Sequence, residues 1–227
     1  MNRKCPLIVR IFFFHLIWPF VYGENLQAKE ERSFNEGRMQ VLELVKKATI
    51  RHHNTIDDHH TDSSILLFKS ALKISRDIGY NNGVQYCYMG IGISYSESGM
   101  YDSALVWFRK ALNYTVFSNF RLEDILRALV NIGDVYLYQG KYNEAILFYL
   151  QVLETAEFGA LKTRGTPDFL IRTYNNIGSA LLQINEHDRA LTFLNKGLVL
   201  ARNINLPEQE AFILNNIAKV HWKQGEH

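Results

Sequence analysis

The chain has 227 residues, 25 basic against 23 acidic, and 47% of its side chains are apolar and 13% aromatic. So apolar a composition, with only 21% charged residues, can bury a core and excludes a disordered chain. A formal charge of +2 and an isoelectric point near 8.4 fall short of the clustered basic balance of a nucleic-acid-binding domain, and two cysteines, Cys5 and Cys87, make no disulfide framework.

At the N-terminus, Arg3 and Lys4 precede a run of twelve largely apolar residues, Ile11 to Tyr22. The run is too short for a bilayer core, which needs about 20 helical residues, and suits the apolar region of an export signal, about 7–15. Cleavage is expected after Gly23, with an uncleaved anchor as the alternative reading. It would remove three basic residues and no acidic one, so the mature chain is expected near −1, exported to a periplasm or secreted. Cys87 would be left as the lone thiol, read as a small core residue because Tyr86, Tyr88 and Met89 surround it.

Downstream, one pattern repeats. Tyr88-x-x-Ile91-Gly92-x-x-Tyr95 recurs as Leu129-x-x-Ile132-Gly133-x-x-Tyr136, Tyr174-x-x-Ile177-Gly178-x-x-Leu181 and Leu214-x-x-Ile217-Ala218-x-x-His221. Twelve residues after each glycine stands an alanine, Ala104, Ala145 or Ala190, followed four residues later by Phe108, Tyr149 or Leu194. Apolar residues at i, i+3, i+4 and i+7 predict two consecutive amphipathic helices per unit. The glycine of the first helix is expected to face the alanine of the second, so that the two axes approach closely. Gly99 and Gly140 are expected to end helices in the left-handed conformation. Thr166-Pro167 and Asn205-Leu206-Pro207 predict helix starts.

This pattern resembles the tetratricopeptide repeat, W-x2-L-G-x2-Y followed by A-x3-F. The register positions are 41, 45 and 40 residues apart, longer than the family's common unit, as in kinesin light chains and bacterial peptide receptors of the quorum-sensing type. The resemblance implies an all-α, right-handed superhelical solenoid. Its expected organisation is a signal peptide over 1–23 and repeats at about 33–78 (degenerate), 79–119, 120–163 and 164–203, with a half repeat at 204–227.

No nucleophile elbow, phosphate loop, C-x-x-C or H-E-x-x-H is present, so neither an enzyme, a cofactor nor a metal centre is expected. The cluster His52-His53-Asn-Thr-Ile-Asp57-Asp58-His59-His60 fits no ligand spacing and is read as a solvated turn, with metal binding as the alternative. Asn113-Tyr114-Thr115 is a glycosylation sequon.

Counted from the glycine, positions −6, −3, −2, +1 and +5 share one face of each first helix, which in the family lines a concave groove. They are Tyr86, Met89, Gly90, Ile93 and Glu97, an apolar end, then Arg127, Val130, Asn131, Asp134 and Tyr138. Next come Arg172, Asn175, Asn176, Ser179 and Gln183, and finally Phe212, Asn215, Asn216, Lys219 and Lys223. Asn131, Asn176 and Asn216 form a ladder, with Arg127 and Arg172 beside it. Such carboxamides can grip the backbone of an extended peptide and arginines a carboxylate; equally, the asparagines can tie neighbouring helices together. The peptide-binding residues named are Arg127, Asn131, Asp134, Tyr138, Arg172, Asn175, Asn176, Ser179, Asn215, Asn216 and Lys219. The chaperone-binding subtype is not supported, because its clamp positions would be Met89 and Ile93. The partner expected is a protein or peptide segment, without nucleic acid or a membrane span in the mature chain. The alternative is the sensor region of a membrane-anchored bacterial regulator.

Overall fold

The computed structural model describes residues 18–53, 58–117, 121–158 and 166–225. Among them are nine helices and no strand: α1 (Trp18–His53), α2 (Asp58–Asp77), α3 (Asn81–Glu97), α4 (Tyr101–Phe117), α5 (Leu122–Tyr138), α6 (Tyr142–Phe158), α7 (Thr166–Gln183), α8 (His187–Asn203) and α9 (Pro207–Gln224). Both proline-marked starts are met, α7 at Thr166 and α9 with Pro207 in its first turn. The chain is an all-α solenoid of helix pairs. α1 is longer than the degenerate first helix expected, and it crosses position 23, so the boundary expected after Gly23 falls inside a helix. Most of the apolar N-terminal run, Ile11 to Ile17, lies outside the described residues.

Each helix packs on its chain neighbours, and in addition α1, α3, α5, α7 and α9 touch one another in succession. The even-numbered helices do not. This asymmetry makes the first helices of the pairs an inner wall and the second helices an outer layer. A string of buried side chains runs between the layers, from Val41 and Phe68 through Ile91, Phe108, Leu126 and Tyr149 to Leu194 and Ile213.

Within each pair the axes meet at the glycine. The spacing alone matches it to an alanine, and the structure corrects that pairing. Ala104, Ala145 and Ala190 are fully buried, but the side chain seated on the glycine is the one four residues later. A Cβ on Gly92 would lie 2.5 Å from the Phe108 ring, one on Gly133 would lie 2.6 Å from the Tyr149 ring, and one on Gly178 would collide with Leu194. A side chain seated on a bare Cα gains dispersion contacts that offset the cost of glycine in a helix, about 1 kcal/mol.

Five turns share one closure. Gly79, Gly99, Gly140, Asn185 and Asn205 all have φ between 58° and 71°. In each, the following amide donates to a carbonyl in the last turn of the helix just ended, as in Met100 to Tyr95 and Lys141 to Tyr136, both at 2.9 Å. This is the Schellman arrangement, which supplies partners to orphan carbonyls and reverses the chain. Asparagine serves where glycine is absent because it tolerates the left-handed region.

Gly133→Ala should be costly. Tyr149 is anchored at both ring and hydroxyl (below), so it cannot swing aside, and the overpacking cost of about 1–3 kcal/mol is only partly offset by better helix propensity. Circular-dichroism melts should show a drop of several degrees, and so should those of Gly178→Ala, where the fully buried Leu194 sets its branch carbon against the glycine.

Candidate functional site

The inner wall displays the residues six before and five after each glycine. Tyr86, Arg127, Arg172 and Phe212 are exposed, as are Glu97, Tyr138, Gln183 and Lys223. The positions between them do not all reach solvent. Met89 and Val130 are buried, and Gly90 is pressed onto the Phe68 ring, where a Cβ would lie 2.5 Å away. These three are packing residues between successive repeats, because the first helices must touch to form a wall at all. The apolar N-terminal end of the expected binding face therefore reduces to Tyr86 and the half-buried Ile93.

At the centre, α5, α6 and α7 are tied by one carboxylate. Tyr149 donates its hydroxyl to Asp134 Oδ1 at 2.6 Å, and Asn176 Nδ2 donates to the same oxygen at 2.9 Å. The Arg172 guanidinium stands 3.7 Å from Asp134 Oδ2. Burial pushes the Asp134 carboxyl above its ordinary range, against the opposing pull of the Tyr149 hydroxyl, Arg172 and Asn176. The Tyr149 hydroxyl is driven upward by burial and by the neighbouring Asp134, so it stays protonated and donating.

The asparagine ladder is in part such a tie. Asn176 spends one donor on Asp134, and Asn216 Nδ2 donates to Asn175 Oδ1 at 2.8 Å. Lys219 Nζ in turn donates to Asn216 Oδ1 at 3.3 Å. Asn131, Asn215 and Ser179 have no side-chain hydrogen bond among the described residues. Two rungs thus bind repeat to repeat, while the others keep polar groups unpaired among the described residues on the inner wall.

Charge is uneven along the wall. Arg127, Arg172, Lys219 and Lys223 lie on α5, α7 and α9. The acidic residue among their face positions is Asp134, which is already held by three groups. Arg127 rests over the Phe169 ring, 5.8 Å from its centroid, and Tyr138 stacks on Tyr101 at 6.3 Å. Tyr138 is raised by partial burial first and then by Asp134.

Tyr149, Phe169 and Tyr101 escaped the sequence-based list because they lie on the outer helices or before the repeat register. One signal was available for Tyr149. It bears a hydroxyl where the other repeats have Phe108 and Leu194, and its repeat alone has a carboxylate, Asp134, one residue after the glycine.

The side chains of His52 to His60 lie outside the described residues, and among those described no group of His, Cys, Asp and Glu could hold a metal ion. Cys87 is buried, and burial pushes its thiol up to about 12, against a hydrogen bond with Ser75. It is a packing residue, inert as a nucleophile. Thr115 of the sequon is buried, its hydroxyl donated to the Leu112 carbonyl at 2.6 Å. No described helix is long and apolar enough to cross a membrane.

Residues 128–165 and 171–204 match family models of the tetratricopeptide repeat. No curated protein matches the chain in sequence. Among solved structures, the apo form of RapI is 21% identical, with 91% of this chain and 75% of that one covered and a TM-score of 0.65. A Podosopora anserina protein described as a kinesin light chain with nearly identical TPR-like repeats is 12% identical, covering 82% and 88%, with a TM-score of 0.62. The tetratricopeptide repeat sensor protein of the signal transduction ATPase class from Pyrococcus horikoshii is 14% identical, with 83% of this chain but 27% of that one covered and a TM-score of 0.67. At these identities the likeness is one of fold.

Tyr149→Phe removes one of three groups holding a buried carboxylate. A hydrogen bond to a charged group contributes about 1.5–3 kcal/mol, so thermal melts should fall by roughly 4–10 °C, although phenylalanine is native at the same position one repeat earlier. A second expectation concerns pH. Since the folded Asp134 carboxyl titrates above its ordinary 3.8, its stabilising contribution is complete below the unfolded value and is lost as pH rises through the folded one. Relative to Asp134→Asn, which does not titrate, the wild type should gain thermal stability as pH falls from about 7 to about 4; a difference independent of pH would refute this.

Proposed function

Because the chain is a tetratricopeptide-repeat protein, we propose that it works as a non-catalytic scaffold that binds an extended protein or peptide segment along the inner wall of its solenoid. The repeats make it a protein-interaction scaffold in the general sense; the groove as the place of binding is our reading. The observation that carries it is the row of polar groups with spare hydrogen-bonding capacity on successive inner helices, Asn131, Ser179 and Asn215, flanked by Arg127, Arg172 and Lys219. Polar groups on successive inner helices suit a backbone, whose amides and carbonyls recur whatever the side chains. The guanidinium of Arg172 meets Asp134 only at 3.7 Å and keeps donors for a ligand carboxylate. Exposed Tyr86, Tyr138 and Phe212 add apolar surface at low entropic cost.

We also propose that residues 1–23 act as an export signal, on the strength of the basic start and the twelve-residue apolar run. N-terminal sequencing of the protein recovered from its host tests this: an intact Met1 would overturn cleavage.

The groove is tested with a random 12-residue peptide library panned on the immobilised chain. Asn131→Ala and Asn215→Ala touch no internal bond among the described residues, so they should weaken selected peptides by about 5–20-fold with unchanged melting. Asn176→Ala and Asn216→Ala should lower melting as well. If Asn131→Ala and Asn215→Ala leave every selected peptide unaffected, the groove reading is wrong.

A further inference from the structure

One step past the register position, the inner helices carry Ile93, Asp134, Ser179 and Lys219 in turn, so the central repeat alone places an acid there. Asp134 divides its two oxygens unequally. Oδ1 accepts from the Tyr149 hydroxyl at 2.6 Å and from Asn176 Nδ2 at 2.9 Å. Among the described residues Oδ2 has the Arg172 guanidinium as its partner, at 3.7 Å, an ion pair without a hydrogen bond. The Asp134 side chain keeps 16% of its surface exposed and that of Arg172 keeps 43%. Solvent protons can therefore reach the carboxylate, and a ligand can reach the guanidinium.

The groups that act on this carboxylate come from few places. Tyr149 of α6 and Arg172 and Asn176 of α7 favour its anion, while burial opposes it. On α5 itself, Tyr138 is raised by Asp134, and Glu97 of α3 and Tyr101 of α4 act on Tyr138 in turn. Arg172 is thus the single cation among the described residues that offsets the burial of Asp134. A ligand carboxylate at Arg172 changes that balance whichever way the guanidinium responds. If it turns wholly to the ligand, Oδ2 loses its counter-charge; if it bridges both anions with its five donors, a second negative charge is added beside the first. Either response makes the anion of Asp134 less favourable. Since Oδ1 already accepts from two donors, an incoming proton settles on Oδ2.

We propose that capture of a ligand carboxylate by Arg172 is coupled to uptake of a proton from solvent onto Asp134 Oδ2, so that the inner wall holds acidic segments more tightly in mildly acidic surroundings. This rests on the reading of the wall as a peptide groove, and it adds the ligand group recognised, a carboxylate, and the condition that regulates the hold. The sign follows from linkage. The bound form carries the more basic Asp134, so affinity rises as pH falls through the bound-form midpoint and levels off below the free-form one. Neutral Asp134 still accepts from Tyr149 and Asn176 at Oδ1, so the tie between repeats survives the uptake.

The first measurement needs no ligand. The carboxyl signal of Asp134 is followed by nuclear magnetic resonance through an acid titration of the full chain and of its Arg172→Gln variant. Loss of the guanidinium should move the Asp134 midpoint upward with an unaltered circular-dichroism spectrum; an unmoved midpoint would overturn the coupling and leave the groove reading standing. The second measurement uses histidine-free acidic peptides panned from the random library at about pH 5.5, with amide versions of the same peptides as controls. Between about pH 7.5 and about pH 5.5 the Kd of the acidic peptides should fall about 3–10-fold, and that of the controls should stay level. On the unaltered chain, calorimetry in buffers of different ionisation heat should register net proton uptake on binding, so the result does not depend on a variant folding. Asp134→Asn should bind the same peptides without pH dependence. A Kd indifferent to pH, net proton release, a selection without acidic peptides, or equal binding by Arg172→Gln would each overturn the proposal. A library that yields no binder at all would overturn the groove reading and this inference with it.

Discussion

The seat of one side chain on one glycine sets the geometry of this molecule. Two helices joined by a short turn can cross at many angles and distances, and bulky residues at the crossing would hold them about 10 Å apart. Phe108 on Gly92, Tyr149 on Gly133 and Leu194 on Gly178 remove that freedom. Each pair then has nearly the same shape. Identical pairs can stack only by repeating one rotation, which is what makes a solenoid of them. The inner wall, and any groove along it, is a consequence of three bare Cα atoms.

A second constraint acts between repeats. Stacking buries Met89 and Val130 at the wall and presses Gly90 onto Phe68, so the polar groups left on the wall are those that stacking does not consume. Asp134 shows how the two demands compete. Its carboxylate sits on the inner face, but it is partnered by Tyr149 from the outer layer and by Asn176 and Arg172 from the next inner helix. A buried carboxylate is costly unless its donors are in place, and here those donors come from two other helices, α6 and α7. These bonds therefore tie the central repeats to one another in register.

The last described helix differs from the inner helices before it. Internal helices have both faces occupied, whereas α9 keeps one face seated and one bare. Ala218 is the residue where this difference is written. It occupies the glycine position of a crossing that none of the described residues makes, and the extra methyl costs nothing so long as no side chain seats there.

Most of the architecture was legible in the sequence, for a physical reason. Repeats impose the same local problem several times over, so the apolar spacing, the small residue at the crossing and the left-handed turn residue recur in phase and reinforce one another. Gly99 and Gly140 were identifiable because only a few residues tolerate their backbone angles. The candidate site was legible by register but not by state. Periodicity places Met89, Val130, Asn131 and Asn176 on one face of their helices, yet it carries no information on how closely the next helix approaches. Tertiary stacking alone decided that Met89 and Val130 are core, that Asn176 and Asn216 are ties and that Asn131 and Asn215 make no side-chain hydrogen bond among the described residues. Likewise, the sequence by itself determined that each glycine has a partner in the following helix; only the folded packing determined that the partner is the ring or leucine and not the alanine, because helix spacing sets which face a residue occupies while the crossing angle sets what it touches.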